Sequence, residues 1–349
     1  MGYKNSYIKS LIQEMELRKS YLHEPLKTIY FGGGTPSQLN GDELKNIFDA
    51  IFHNFPTTND MEITLEANPD DITPKYLAEV NDLPFNRVSM GIQSFNDADL
   101  KFLNRRHNKE KAIEAVKLLK ETGIKNINID LIYGLPKQTM DNWAKNIDEA
   151  LKLDIPHISA YHLIYEEGTA LYRLLEEGKI KPVDEESSLN FFSFLRHKLI
   201  DAGYEHYEIS NFAKTGYYSQ HNSSYWKGTS YLGLGPSAHS YNGKEREWNP
   251  SSLDRWIKGI LSGKPEIEYE LLDSNTQYND HIVTRLRTMW GIDLDEIKFL
   301  FGEKRLNYLL QMAKRYLEQG TLKLECNKLT LTESGIFVSD GIMSDLLWI

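Results

Sequence analysis

Lys27-Thr28-Ile29-Tyr30-Phe31-Gly32-Gly33-Gly34-Thr35-Pro36 sets a short β-branched and aromatic run directly against three glycines and a proline. Thr28–Phe31 has the composition of a strand, and the glycines end it in a loop whose backbone N–H and C=O groups can approach a ligand closely. It is not a Walker loop, since no Gly-Lys-Ser/Thr follows. Nor is it a dinucleotide fingerprint, since Ser37 stands where a third glycine belongs. Taken alone, the loop is equally a tight connection between two elements.

The same step from strand to helix repeats down the chain. Strands are expected at Thr28–Phe31, Glu62–Glu66, Arg87–Ile92, Asn126–Ile132 and His157–Tyr161. Between them lie amphipathic segments at Gly41–Phe52, Pro74–Val80, Asp97–Leu103, Lys109–Glu121 and Thr139–Leu151. The clearest, Lys109–Glu121, places Ala112, Ala115, Val116 and Leu119 on one stripe and stops at Gly123. Strand-to-helix steps of about 30 residues fit an α/β barrel or a doubly wound sheet. One feature breaks the order. The chain opens with a helix, Asn5–Tyr21, whose stripe of Ile8, Leu11, Ile12 and Met15 needs a sheet to lie on, yet no strand precedes it. The first β-α unit therefore lacks its strand.

Past residue 165 the pattern loosens into helices at Ala170–Glu177 and Glu185–Ala202, a strand at Tyr204–Ile209 and an aromatic, glycine-rich stretch. From Thr276 onward, helices followed by Thr321–Leu324 and Lys328–Leu331 fit a small winged-helix-like domain. The expected divisions are an incomplete barrel core at 1–165, a barrel extension at 166–262 and a C-terminal helical domain at 263–349.

With 40 Lys and Arg against 50 Asp and Glu, the formal charge is −10, which argues against nucleic acid or an anionic membrane as a partner. Arg105-Arg106-His107 is a local basic cluster rather than a binding face. No apolar run approaches the roughly 18 residues of a membrane span, and the start has no signal-peptide core, so the cytosol is the expected location. Gly2 and Ser6 meet a weak myristoylation pattern, but Tyr7 to Leu22 read directly into a helix, which argues against lipidation. The single cysteine, Cys326, excludes an intramolecular disulfide and any all-thiolate metal site built from this chain alone.

In a barrel the functional residues sit at the C-terminal ends of strands. Leu65-Glu66-Ala67-Asn68-Pro69 brings a carboxylate and an amide there, and alternation along the strand turns Glu66 to the polar side. Ser89-Met90-Gly91-Ile92-Gln93-Ser94-Phe95 delivers another amide, Leu103-Asn104-Arg105-Arg106-His107 supplies guanidinium groups, and Ile127-Asn128-Ile129-Asp130-Leu131-Ile132 carries a lone acid ahead of Tyr133-Gly134-Leu135-Pro136. Each has a structural reading: a helix-end cation for Arg105, a buried ion pair for Asp130. Together their complementary signs suit a ligand bearing both an amine and a carboxylate. Further on, His221-Asn222-Ser223-Ser224-Tyr225-Trp226 precedes Gly233-Leu234-Gly235-Pro236-Ser237-Ala238-His239. An imidazole among aromatics beside a glycine-rich segment is what a haem pocket requires, and it is equally the signature of a core histidine.

This set of motifs, in this order, resembles the coproporphyrinogen-oxidase-like branch of the radical S-adenosylmethionine superfamily, over nearly the whole chain from about residue 5. The resemblance implies an α/β fold, a partial (β/α)6 barrel without its first strand, followed by the C-terminal winged-helix-like domain. It also implies S-adenosylmethionine at Gly33, Gly34, Thr35, Glu66, Gln93, Arg105, Asp130 and Ile164, with His239 as a further position near the nucleotide. His-Asn-x-x-Tyr-Trp looks like the signature of the haem-chaperone subgroup of that branch. It implies haem at His221, Asn222, Tyr225 and Trp226, and delivery to apo-haemoproteins, membrane-bound respiratory enzymes among them. The alternative within the branch is oxygen-independent oxidative decarboxylation of coproporphyrinogen III. The family's Cys-x-x-x-Cys-x-x-Cys loop, which binds a 4Fe-4S cluster after the first barrel strand, has no counterpart in this sequence. Missing strand and missing cysteines belong to one segment, so an N-terminal truncation is the expected explanation and a natural cluster-free relative the other. On either, no radical chemistry is expected of the chain as written.

Overall fold

A computed structural model describes residues 2–349. The chain forms two compact units, one of Tyr30–Gly41 and Glu62–Tyr218, the other of the residues through Ile29 with Asp42–Met61 and Ser219–Ile349.

The main sheet has seven strands: β1 (Leu26–Phe31), β2 (Thr57–Ala67), β3 (Arg87–Gln93), β4 (Asn126–Tyr133), β5 (His157–His162), β6 (Glu205–Glu208) and β7 (Asn211–Ala213). Their order is β1-β2-β3-β4-β5-β7-β6, with β2 to β5 parallel and β7 antiparallel to both β5 and β6. All five strands expected in the first half of the sequence form. The partial α/β barrel expected from the motifs is what the sheet builds, open at β1 and at β6. Two differences are physical in origin. β2 begins five residues earlier than expected, at Thr57, on exposed polar residues that hydropathy reads as loop. The stretch read as one strand from Tyr204 to Ile209 is the first arm of a hairpin: the Glu208 carboxylate accepts from the Ser210 N–H and the Asn211 amide, turns the chain, and lays β7 against β5.

The flanking helices follow their sequence signals. Lys109–Glu121 buries Ala112, Ala115, Val116 and Leu119 and is capped by Asn108, whose side chain accepts from the Lys111 N–H at 2.9 Å. Pro74–Val80 starts with Pro74 behind a Thr73 cap. Gly134 follows β4 with φ +77°, and a Cβ there would lie 2.5 Å from the His162 ring.

In the other unit the opening helix spans Gly2–Arg18. Its buried face carries Ile8, Leu11 and Met15 as expected, but also Ser10, Glu14 and Arg18. It packs against the helix Leu253–Leu261: the Tyr7 and Trp256 rings meet at 5.3 Å and Gln13 Nε2 donates to the Ile260 carbonyl at 2.8 Å. The glycine-rich stretch holds strands that composition did not reveal, β8 (His239–Tyr241) and β9 (Glu245–Trp248), and β9 pairs with β10 (Glu268–Leu271) beyond it, antiparallel in the order β10-β9-β8. The C-terminal region forms the expected winged-helix-like arrangement. Helices Ser274–Leu286, Leu294–Phe301 and Glu303–Glu318 pack with β11 (Ile292–Asp293), β12 (Leu322–Glu325) and β13 (Lys328–Leu331) around Tyr278, Ile282, Leu309 and Leu329. No helix among the described residues is long and apolar enough to cross a membrane.

Candidate functional site

Within the first unit, the C-terminal ends of β1 to β4 collect the polar residues singled out in the sequence. Gly33 and Gly34 take φ of +76° and +142°, and a Cβ at either would meet nothing within 4 Å, so the loop opens onto free space. Gly32 is needed for a different reason. A Cβ there would lie 2.5 Å from the Tyr30 ring and 3.0 Å from Glu66 Cδ, and Tyr30 Oη donates to Glu66 Oε1 at 2.7 Å. Tyr30 is thus the hand that holds Glu66, a residue the sequence reading passed over. Gln93 sits at φ +71°, where β3 slips register against β4. A non-glycine residue held in that region stores of order 1 kcal/mol and is characteristic of ligand clamps.

Arg105 Nη2 donates to Asn68 Oδ1 at 2.6 Å and to the Gly91 carbonyl at 2.8 Å. Both acceptors are neutral, and no carboxylate among the described residues forms an ion pair with it. Burial draws its pKa down, while Asp70 and Asp130 oppose the shift. A partly buried guanidinium oriented by neutral acceptors is a charge waiting for an anionic ligand. Asp130 accepts from Asn128 Nδ2 at 2.8 Å. Beneath it runs a buried polar lattice. Asn128 Nδ2 also donates to Ser89 Oγ, while Asn128 Oδ1 accepts from His157 Nδ1 at 2.6 Å, whose Nε2 meets Tyr207 Oη at 2.7 Å. Burial holds the His157 pKa well below its ordinary value, and the Asn128 Oδ1 acceptor beside Nδ1 favours the tautomer with its proton there.

Burial also pushes the Asp130 carboxyl up to about 6, against the opposing hydrogen bonds of Asn128 and Ser159. A carboxyl whose folded pKa exceeds its unfolded value favours the fold when protonated, and that contribution is lost as pH rises through about 6. Asp130→Asn keeps an acceptor for Asn128 and cannot ionise. It is expected to be more stable than wild type by about 1–2 kcal/mol near pH 8 and indistinguishable below about pH 4, as read by denaturant unfolding at the two values.

Two further sequence-derived positions are solvent-exposed. Ile164, beyond β5, is 74% exposed. His239 belongs to the other unit, exposed on β8 with its ring stacked on Trp248 at 5.9 Å.

Residues 2–150 match the Radical SAM superfamily and residues 272–338 the HemN C-terminal domain. The chain is 31% identical to the haem chaperone HemW of Lactococcus lactis subsp. lactis, over 98% of this chain and 89% of that protein. It is likewise 31% identical to HemW of Bacillus subtilis, over 98% of this chain and 91% of that protein. The chain belongs to the HemW-like branch of the radical SAM superfamily. Among solved structures, coproporphyrinogen III oxidase (HemN) from Escherichia coli superposes with a TM-score of 0.84 at 22% identity, covering 98% of this chain and 82% of that one, which establishes the shared fold.

Membership of this HemW-like branch implies S-adenosylmethionine and a 4Fe-4S cluster, and the residues present treat the two differently. The open glycine loop, Arg105 without an ion pair among the described residues, and the acids Glu66 and Asp130 fit the zwitterionic nucleotide. The cluster is not fitted. Cys326 is exposed in the turn between β12 and β13, and no group of three His, Cys, Asp or Glu among the described residues could hold a metal ion.

The HemW-like His-Asn-x-x-Tyr-Trp motif forms the helix Gln220–Trp226, capped by Ser219 through the Asn222 N–H at 3.2 Å. Helical spacing pairs His221 with Tyr225 and Asn222 with Trp226 on adjacent faces. His221 Nδ1 lies 3.0 Å from Thr28 Oγ1 on β1, and its Nε2 lies 2.8 Å from Tyr225 Oη. Tyr225 is held in turn by the Tyr231 ring, edge-on at 4.7 Å, and burial pushes its hydroxyl up to about 12. The Arg287 guanidinium covers the Trp226 ring at 5.2 Å, and Arg285 Nη1 donates to the Trp226 carbonyl at 3.3 Å.

Proposed function

We propose that this chain is a haem chaperone, which takes haem through the His221 segment, binds S-adenosylmethionine at the glycine-loop rim and passes haem to apo-haemoproteins. The observation that carries the reading is the His221 imidazole, mounted on the His-Asn-x-x-Tyr-Trp helix among aromatic rings, in a chain whose relatives over nearly its whole length are named haem chaperones. At the rim, Arg105 takes the ligand carboxylate. Glu66 and Asp130 accept from the ammonium and the ribose hydroxyls, and Gln93 and the Gly33-Gly34-Thr35 backbone line the rest. Bound there, S-adenosylmethionine supplies a nucleotide whose charges are complemented by the fold. Radical decarboxylation of coproporphyrinogen III is not assigned to this chain, because its residues present no thiolate set for the cluster that chemistry needs.

Titration with ferric haem tests the reading. Wild type is expected to develop a Soret band that His221→Ala weakens and shifts; identical spectra for the two proteins would reject it.

A further inference from the structure

His221 has both ring nitrogens engaged by hydroxyls. An imidazole offers iron only the nitrogen that carries a lone pair, and the hydrogen bond made by the other nitrogen decides which one that is. Thr28 Oγ1, 3.0 Å from Nδ1, can accept the Nδ1 proton, and Tyr225 Oη, 2.8 Å from Nε2, is then the donor to the Nε2 lone pair. The phenol ring stands at 81° to the imidazole with centroids 4.9 Å apart, so its hydroxyl covers the edge from which a metal would approach.

Resting on the haem-binding reading above, we infer that Thr28 is the positioning residue that readies His221 Nε2 for iron, and that the Tyr225 hydroxyl is a displaceable cap on the same nitrogen. On uptake the Tyr225 O–H···Nε2 hydrogen bond breaks and a coordinate bond from Nε2 to iron forms. The Nδ1 proton stays on the ring, shared with Thr28, and no electron is transferred. Release to an acceptor reverses the exchange, with Tyr225 reclaiming the nitrogen as iron leaves. The cap therefore keeps haem affinity below what His221 alone would give, which suits a protein that must let its cargo go.

The assignment makes the two motif residues differ in sign. Tyr225→Phe keeps the ring against Tyr231 and removes only the hydroxyl. It is expected to bind ferric haem about 3- to 10-fold more tightly than wild type, with an unchanged Soret position. Thr28→Val is expected to weaken binding about 10-fold and to make it more pH-dependent, because the tautomer is no longer fixed; Thr28→Ser restores both. A Tyr225→Phe protein that binds haem no more tightly than wild type, while wild type keeps a His221-dependent Soret band, would overturn the cap and leave the haem reading standing. A Thr28→Val protein equal to wild type in affinity and pH profile would overturn the positioning role. Absence of any His221-dependent band in wild type would instead remove the haem reading itself.

Discussion

Arg105→Ala is expected to lower the affinity for S-adenosylmethionine about 100-fold, as measured by calorimetric titration with the intact nucleotide. The side chain comes pre-aimed, because Asn68 Oδ1 and the Gly91 carbonyl fix one terminal nitrogen at 2.6 and 2.8 Å. Neither acceptor cancels its charge, so a bound carboxylate gains a charge-assisted contact without having to break an existing ion pair. Such contacts are worth about 1.5–3 kcal/mol, and about 1.4 kcal/mol is tenfold in affinity. Arg105→Lys keeps a positive charge but loses the planar fork, and is expected to recover only about tenfold of the loss. Unfolding of both variants should stay within about 0.5 kcal/mol of wild type, since the position lies on a rim that water can reach. Unchanged binding in Arg105→Ala would detach the rim from nucleotide recognition.

Much of this rim was legible because strand ends are marked by local chemistry. Glycines at positive φ after a strand, acids and amides at the last strand position, and helix caps such as Asn108 and Thr73 are all written within a few residues of where they act. Most of what stayed hidden depends on partners distant in sequence. Tyr30 reads as an ordinary strand aromatic until its hydroxyl is found on Glu66, and Thr28 as a β-former until it is found on His221, 193 positions away. The hairpin of β6 and β7 was hidden for a different reason: Glu208 looks like a solvent-facing strand residue, yet it is buried and turns the chain through its close neighbours Ser210 and Asn211. Asn128 and His157 sit in apolar runs where hydropathy counts them as exceptions, and only pairing β4 with β5 joins them into one lattice.

Glu14→Ala is expected to cost about 3–4 kcal/mol of stability, the largest effect of any single side-chain truncation proposed for this chain. Glu14 has no solvent exposure and gathers three donors: the Gly235 N–H at 2.8 Å, Asn249 Nδ2 at 2.6 Å and Trp256 Nε1 at 3.1 Å. One carboxylate thereby ties the opening helix to the Gly233–His239 segment and to the helix Leu253–Leu261. Removing it strands three buried donors at about 1 kcal/mol or more each, and leaves buried Arg18 with Glu247 as its remaining acidic partner. The pH dependence has a definite sign. Burial raises the Glu14 pKa in spite of those donors, so its contribution is full when protonated and falls as pH climbs through the folded value. Glu14→Gln, which cannot ionise, should therefore show its largest deficit at acid pH and a smaller one above neutrality. Glu16, two residues on, is exposed and pairs with Lys19, so Glu16→Ala should move the urea midpoint by less than the equivalent of about 0.5 kcal/mol. Equal midpoints for the Glu14 and Glu16 variants would mean that the buried carboxylate holds nothing together. A loss confined to Glu14 would place the anchor of the glycine-rich segment on a helix whose sequence shows only an apolar stripe.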